Sequence, residues 1–225
     1  MDFGRTPGWT PGALLASIRL IAFDFDGVVV ETTGLKLRAF TDLFPPDGRI
    51  AAYLASSQGR PRRERFAFVY REILGREYTP DVESELDSRL SIALERGLGL
   101  APLLPAVDVF VRAAAGRWPL VVVSAAPERD VCALLVAHGL NTCFRDVHAG
   151  VGDKAGVLRS IVESEACRVD EVLFFGDTVS DHAAATAVGL RFVGVRGPSS
   201  EELLDPGKTI VIRDFTGFAD SVMVL

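Results

Sequence analysis

The most constraining feature of the sequence is an apolar run from Leu20 to Val30 that contains two carboxylates one residue apart, Asp24 and Asp26. The run has the length and composition of a buried, parallel strand. Its two carboxylates would then lie at the carboxyl end of the strand, the edge at which open α/β sheets bind ligands. Because side chains alternate along a strand, Asp24 and Asp26 point to the same side, and Phe25 between them points to the opposite side, into the core. Two like charges this close repel each other unless a cation or a proton lies between them.

Two hydrophobic patterns divide the rest of the chain of 225 residues. Up to residue 100 apolar residues recur at helical spacing, as in the stripe Phe66, Val69, Ile73 and Leu74. Beyond it, continuous apolar runs alternate with helical segments, which is typical of a doubly wound, mainly parallel, Rossmann-like α/β sheet. We therefore expect an α/β core of residues 18–30 and 101–225, a helical cap domain of residues 31–100 inserted after the first strand, and an N-terminal arm of residues 1–17.

Composition excludes several classes of function. The formal net charge of −6 argues against broad binding of nucleic acids, which usually requires a basic face. No apolar run is long enough to cross a membrane, and the N-terminal residues lack the features of a signal peptide. The three cysteines have no paired spacing, so we expect reduced thiols in a cytoplasmic protein.

Polar residues follow the later strands at the points where those strands end. Ser124 follows the second predicted strand, Asp177 follows the fourth, Asp181 opens the next helix, and Lys154 opens the helix after the third. The carboxyl ends of parallel strands share one edge of the sheet, so these groups converge there with Asp24. Carboxylate oxygens are ligands for Mg²⁺, whereas a hydroxyl, an ammonium and helix-start N–H groups bind phosphate. The sequence therefore predicts metal-assisted phosphate chemistry.

The charges of these groups suggest a mechanism. A carboxylate attacks a phosphate dianion poorly because the two repel, and Mg²⁺ together with Lys154 would offset that repulsion. Asp24 would then attack phosphorus and form an aspartyl-phosphate. Asp26 would protonate the leaving oxygen and later accept a proton from the hydrolytic water.

Four segments resemble the motifs of the haloacid dehalogenase superfamily. Asp24-Phe-Asp26-Gly-Val is similar to motif one, Ser124 to motif two, Lys154 to motif three, and Gly176-Asp-Thr-Val-Ser-Asp181 to motif four. The helical insert is similar to the C1 cap of the phosphoglycolate phosphatase and β-phosphoglucomutase branch. The chain differs from that branch at Glu31-Thr32, where it often carries Asp-Ser, and at Lys154-Ala155, where it commonly carries Lys-Pro.

The resemblance implies roles for individual residues. Asp24 would be the nucleophile and Asp26 the acid and base. Mg²⁺ would be held by Asp24, the backbone carbonyl of Asp26 and Asp177, with Asp181 in support or serving only to cap its helix. Ser124, Ala125 and Lys154 would hold the phosphate. The presence of Asp26 argues against a dehalogenase or a phosphonate hydrolase.

The cap is expected to determine specificity. Arg62, in the arginine-rich run from Gly59 to Phe66, matches an arginine often found in the cap loop of this branch, although a solvated face is an equally simple interpretation. We predict a Mg²⁺-dependent phosphatase for a small phosphorylated metabolite with a second anionic or polar group, and by resemblance a monomer. A sugar phosphomutase and a non-catalytic binding protein remain alternative hypotheses.

Overall fold

A computed structural model of the protein describes residues 10–57, 60–98, 101–196 and 209–224. The chain forms two compact units: one ends at Thr32 and resumes at Ala101, and the other spans Thr33–Leu100. Residues 1–9 of the predicted arm and residue 59 of the arginine-rich run lie outside the described residues.

The first unit contains a parallel sheet of six strands. The strands are β1 (Leu20–Phe23), β2 (Leu120–Val123), β3 (Asp146–His148), β4 (Val172–Gly176), β5 (Arg191–Val195) and β6 (Ile210–Ile212). Their order is β3-β2-β1-β4-β5-β6, and every neighbouring pair is parallel. β1 therefore lies in the interior of the sheet between β2 and β4.

The helices pack on both faces of this sheet or form the second unit. They are α1 (Pro11–Leu15), α2 (Thr33–Thr41), α3 (Gly48–Ser56), α4 (Arg62–Phe68), α5 (Pro80–Leu98), α6 (Val107–Ala115), α7 (Glu128–Ala137), α8 (Lys154–Ser164), α9 (Val179–Val188) and α10 (Thr216–Val224). Helices α1, α6, α7 and α10 contribute to the core on one face of the sheet, and α8 and α9 to the core on the other. The predicted doubly wound α/β fold with a helical insertion after the first strand is confirmed.

The apolar composition of β1 follows from burial of both its faces. Ile21 and Phe23 belong to one core, and Leu20 and Ala22 to the other, with none of the four exposed. The Phe23 ring stacks on Phe175 of β4 with 5.2 Å between centroids. Removal of such side chains from water stabilises the fold by about 1.5–3 kcal/mol each, so β1 is held firmly from both sides.

The second unit has its own apolar core, and two of its features differ from the pattern predicted for it. The stripe that includes Val69 continues from α4 into a π-helical turn, Val69–Ile73, where Leu74 N–H donates to Val69 O at 2.9 Å. The stripe Leu86, Leu90 and Leu94 followed by Gly97 predicts a helix that stops at this glycine, but α5 continues through it. A Cβ at Gly97 would lie 2.9 Å from Leu35 Cδ2, so this glycine allows close packing of α5 on α2 rather than ending the helix.

A buried arginine joins three helices of this second unit. Arg65 on α4 is 6% exposed, and its Nη2 donates to Leu54 O of α3 at 3.0 Å. Its Nε donates to Ser57 Oγ, and its guanidinium carbon lies 3.7 Å from the centroid of the Phe40 ring on α2. Burial lowers the pKa of Arg65. Because the last carbonyls of a helix carry partial negative charge, the end of α3 compensates this cation.

Among the described residues, no helix combines the length and the apolar character needed to cross a bilayer. The three cysteines, Cys132, Cys143 and Cys167, are free.

Candidate active site

The turn after β1 fixes the first pair of carboxylates. Asp24 N–H donates to Phe175 O at 2.8 Å, which continues the pairing of β1 with β4. The N–H groups of residues 28–30 then converge on Phe25 O at 2.9–3.3 Å. Gly27 makes this reversal with a φ of +76°, a conformation that side-chain-bearing residues rarely adopt.

Gly27 also permits the close approach of the fourth motif. A Cβ at Gly27 would lie 2.1 Å from Asp177 Oδ2, a distance that no real side chain tolerates. Asp177 follows β4, and Thr178 caps α9 by accepting a hydrogen bond from Asp181 N–H at 3.1 Å. The two loops therefore bring Asp24 and Asp177 together at one edge of the sheet.

Three buried carboxylates meet at this edge. Asp24, Asp177 and Asp181 each present an oxygen, and these oxygens lie within 4.8 Å of one another. Lys154 Nζ lies 2.9 Å from Asp24 Oδ2 and 2.6 Å from Asp181 Oδ1. The cluster thus contains three carboxylates and one ammonium, an arrangement with a formal deficit of positive charge.

The pKa values reflect this imbalance. Burial, followed by repulsion from Asp181, raises the pKa of Asp24 from 3.8 to about 7. Burial and then the charge of Asp24 raise the pKa of Asp177 well above its usual value. Burial works to lower the pKa of Lys154, but attraction by Asp24 and Asp181 outweighs it, so the pKa of Lys154 is raised and its ammonium is retained.

Two of the carboxylates differ in how their oxygens are satisfied. Both oxygens of Asp181 accept hydrogen bonds. Oδ1 accepts from Lys154, and Oδ2 accepts from the N–H and the hydroxyl of Thr178 at 3.1 and 2.5 Å. Asp177 Oδ1 is buried and has no hydrogen-bond partner among the described residues. An orphaned carboxylate oxygen beside two further carboxylates fits a small cation that prefers oxygen ligands.

The predicted phosphate-binding residues lie on the neighbouring strand and helix. Phe23 pairs with Val122, so Ser124 lies one strand away from Asp24 at the same edge of the sheet. Ser124 is buried and its Oγ accepts from Ala126 N–H at 3.1 Å. Ala125 is exposed in the loop that leads into α7, whose first turn has no side-chain cap.

Thr32 is a polar residue that sequence reasoning missed. It is completely buried, and its hydroxyl donates to Asp26 Oδ1 at 2.5 Å. Asp26 itself is only partly buried and is not part of the carboxylate cluster, and a metal contact through its backbone carbonyl stays a prediction. The available signal was a threonine two residues after the run Val28–Val30, but spacing alone does not reveal its partner.

Arg62 belongs to the helical unit and not to this cluster of the first unit. It begins α4, and its Nη1 lies 3.2 Å from Asp87 Oδ1 on α5. The side chains of Arg62 and Asp87 are 45% and 54% exposed. The role of Arg62 in substrate binding stays a prediction.

The order of these motifs along β1, β2, α8 and β4 can be compared with known families. A sequence model of the haloacid dehalogenase-like hydrolases matches residues 21–186. The chain belongs to this family. The match includes Asp24, Asp26, Ser124, Lys154, Asp177 and Asp181, so the resemblance inferred from the sequence is confirmed and the protein is a haloacid dehalogenase-like hydrolase.

Solved structures share the fold over nearly the whole chain. A predicted phosphoglycolate phosphatase from Haemophilus somnus has a TM-score of 0.74 at 20% identity, over 92% of this chain and 98% of that one. A putative β-phosphoglucomutase from Thermotoga maritima has a TM-score of 0.72 at 20% identity, over 92% and 100%. A CbbY mutant from Rhodobacter sphaeroides in complex with xylulose-1,5-bisphosphate has a TM-score of 0.63 at 21% identity, over 88% and 95%. No curated protein matches the sequence.

Proposed function

We propose that this hydrolase is a Mg²⁺-dependent phosphatase that cleaves a small phosphorylated metabolite through an aspartyl-phosphate on Asp24. The observation that carries the proposal is the orphaned Oδ1 of Asp177, buried beside Asp24 and Lys154. Such an oxygen destabilises the fold unless a ligand meets it. Its position next to the candidate nucleophile makes that ligand part of the chemistry.

Residues of the first unit would supply the metal ligands. Asp24, Asp177 and the backbone carbonyl of Asp26 would hold Mg²⁺, with Asp181 in support through Lys154 and Thr178. An all-oxygen set suits a hard cation, since transition metals usually also recruit histidine or cysteine. Bound Mg²⁺ supplies the positive charge that lets a carboxylate and a phosphate approach each other.

The remaining steps belong to side chains of the chain itself. One oxygen of Asp24 attacks phosphorus while the ester P–O bond breaks, and Asp26 gives its proton to the departing oxygen. The alcohol leaves and Asp24 carries the phosphoryl group. Water then attacks phosphorus, its proton passes to Asp26, and the bond from phosphorus to Asp24 breaks to release phosphate.

Residues around Asp24 would position the phosphoryl oxygens. Lys154 is held by Asp24 and Asp181 with only 13% of its side chain exposed, so its charge is directed toward the nucleophile. Ser124 and the N–H of Ala125 precede the uncapped start of α7, where helix N–H groups favour an anion. Fixed donors of this kind act on charge that develops in the transition state.

The class of substrate is supported by the solved relatives. The Haemophilus somnus structure carries the name of a predicted phosphoglycolate phosphatase, and the CbbY mutant was solved with a sugar bisphosphate. Both names describe small phosphorylated metabolites with further polar groups. We therefore propose a sugar phosphate or a phosphorylated hydroxy acid as the substrate.

The test is phosphate release from a panel of phosphorylated metabolites with Mg²⁺ and with chelator. We expect Mg²⁺-dependent release from a narrow set, and a fall of about 10⁴-fold or more in Asp24→Asn because the nucleophile is lost. Asp170→Asn, which changes an exposed carboxylate paired with Arg168, is the matched control and should retain full activity. Turnover by Asp24→Asn, or release that ignores chelator, would contradict the proposal. Isomerisation of a sugar phosphate with little release would identify a phosphomutase instead.

A further inference from the structure

We infer that Thr32 is a positioning residue that orients the acid–base carboxylate of Asp26. The inference rests on the proposed function, because it assigns Asp26 the proton transfers of the phosphatase reaction. The observation behind it is the hydrogen bond from the Thr32 hydroxyl to Asp26 Oδ1 at 2.5 Å.

The backbone around Thr32 is fixed on both sides. Val30 O accepts from Gly27 N–H at 2.8 Å and from Thr32 N–H at 3.1 Å. Glu31 N–H donates to Pro102 O at 2.8 Å. Thr32 is therefore locked to the same turn that carries Asp26, and its buried hydroxyl approaches the carboxylate from a constant direction.

The burial of Thr32 argues that its hydrogen bond to Asp26 is not incidental. A buried hydroxyl needs a partner, and many threonines satisfy that need with a backbone carbonyl of their own helix, as Thr41 does with Leu37 O at 2.8 Å. Thr32 instead directs its hydroxyl to the partly exposed carboxylate that the proposed reaction uses. Its fixed donor restricts rotation of the Asp26 carboxylate.

The hydrogen bond also selects which oxygen of Asp26 transfers the proton. Oδ1 accepts from Thr32, so the proton of the acid form belongs on Oδ2. A fixed Oδ2 would face the leaving oxygen in the first step and the water in the second. A positioned acid or base typically contributes about 10²–10⁴-fold to a reaction rate. A partial loss of the orientation of Asp26 should therefore lower the rate by less than this full contribution.

Dependence on the leaving group separates this role from a structural one. An alkoxide needs a proton as it departs, whereas p-nitrophenolate leaves readily without one. Misplacing Asp26 should therefore slow the cleavage of alkyl phosphates far more than that of p-nitrophenyl phosphate. A general loss of folding or of metal binding would slow both equally.

The experiment compares kcat/KM of wild type, Thr32→Val and Thr32→Ser on phosphate monoesters with leaving groups of graded pKa, at saturating Mg²⁺. For Thr32→Val we expect a fall of about 10–100-fold for alkyl esters and less than about 3-fold for p-nitrophenyl phosphate, through kcat rather than KM. Thr32→Ser restores the hydroxyl and should recover most of the rate. Thr41→Val, which removes a hydroxyl within α2, should match wild type for every ester.

Two results would overturn the inference. One is an equal loss for all leaving groups in Thr32→Val, with a lowered melting temperature, which would show a structural role. The other is no loss for any ester, or no recovery with serine. A wild-type protein without Mg²⁺-dependent turnover would instead defeat the proposed function, and the assignment of Thr32 with it.

Discussion

Arg65 in the helical unit and the carboxylates after β1 and β4 are both buried charges, but their surroundings differ. Arg65 is met by Leu54 O, Ser57 Oγ and the face of Phe40, so its burial is compensated within the unit. The carboxylate cluster has one ammonium for three acids, and within the described parts of the chain Asp177 Oδ1 has no hydrogen-bond partner. A compensated buried charge stabilises structure, whereas an uncompensated one indicates a site built for a ligand.

Of the variants that test this difference between the two buried charges, Asp177→Asn is expected to have the largest effect. Removing the carboxylate should lower Mg²⁺-dependent turnover by about 10³-fold or more. With chelator present, the same change should raise the free energy of unfolding by about 1–3 kcal/mol, because a buried unsatisfied carboxylate is replaced by a neutral amide. Activity titrated with Mg²⁺ and urea unfolding in chelator measure the two effects. Loss of both activity and stability would contradict the interpretation.

The pH dependence of the wild-type free energy of unfolding is a second test of the carboxylate cluster. The pKa of Asp24 is raised to about 7 in the folded state, against 3.8 in the unfolded chain. The folded state therefore holds more protons in between, and without a divalent cation its stability should fall as the pH rises from 4 to 7. The loss is on the order of 4 kcal/mol. Urea unfolding at several pH values measures it, and saturating Mg²⁺ should flatten the curve; a stability that rises with pH in chelator would be inconsistent with this sign.

The next effect concerns Arg65. Arg65→Ala should lower the free energy of unfolding by about 2–4 kcal/mol, since it removes two hydrogen bonds, packing against Phe40 and a buried volume. Arg63→Ala is the matched control on the same helix, because Arg63 is 78% exposed and pairs only at the surface with Glu83. We expect less than about 0.5 kcal/mol there. Urea unfolding and hydrogen exchange of α3 and α4 compare the two variants. Equal losses in the free energy of unfolding would mean that the contacts of Arg65 do not compensate its burial.

The smallest stability effect is expected at the exposed pair Arg62–Asp87. Asp87→Ala should change the free energy of unfolding by less than about 0.5 kcal/mol. If Arg62 binds a second anionic group of the substrate, Arg62→Ala should raise KM about 10-fold or more with little change in kcat. Kinetics on substrates with and without that group test this role. An unchanged KM for both would assign Arg62 to a solvated surface.

The core of the site was predictable because its residues follow recognisable strands. Asp24, Ser124 and Asp177 each end an apolar run, and the parallel topology brings such ends together. Helix α10 was not predicted, since its residues, including Thr216, Gly217 and Ser221, form no clear amphipathic stripe. The π-helical turn was also missed, because periodicity shows which face is apolar and not which carbonyl each N–H reaches.

Contacts made by polar side chains were the least predictable. The partner of Thr32 depends on the positive φ of Gly27, which turns the chain back on itself. The packing of Gly97 against Leu35 depends on how α2 and α5 meet, so a glycine that looked like a helix stop became a point of close approach. Both outcomes arise from tertiary structure that a sequence pattern does not contain.

The position of β1 between β2 and β4 has a consequence for synthesis of the chain. Asp24 is translated early, whereas β4 and Asp177 come only after the helical insertion and the strands β2 and β3. A nascent chain that has not reached β4 contains Asp24, the proposed nucleophile, but neither Asp177 and Asp181 nor the strand β4 that pairs with β1. Pairing across such a sequence separation is slow to nucleate. The carboxylate of Asp24 therefore acquires its buried, charged surroundings late in biogenesis, and a chain truncated before β4 would carry Asp24 as an ordinary acid.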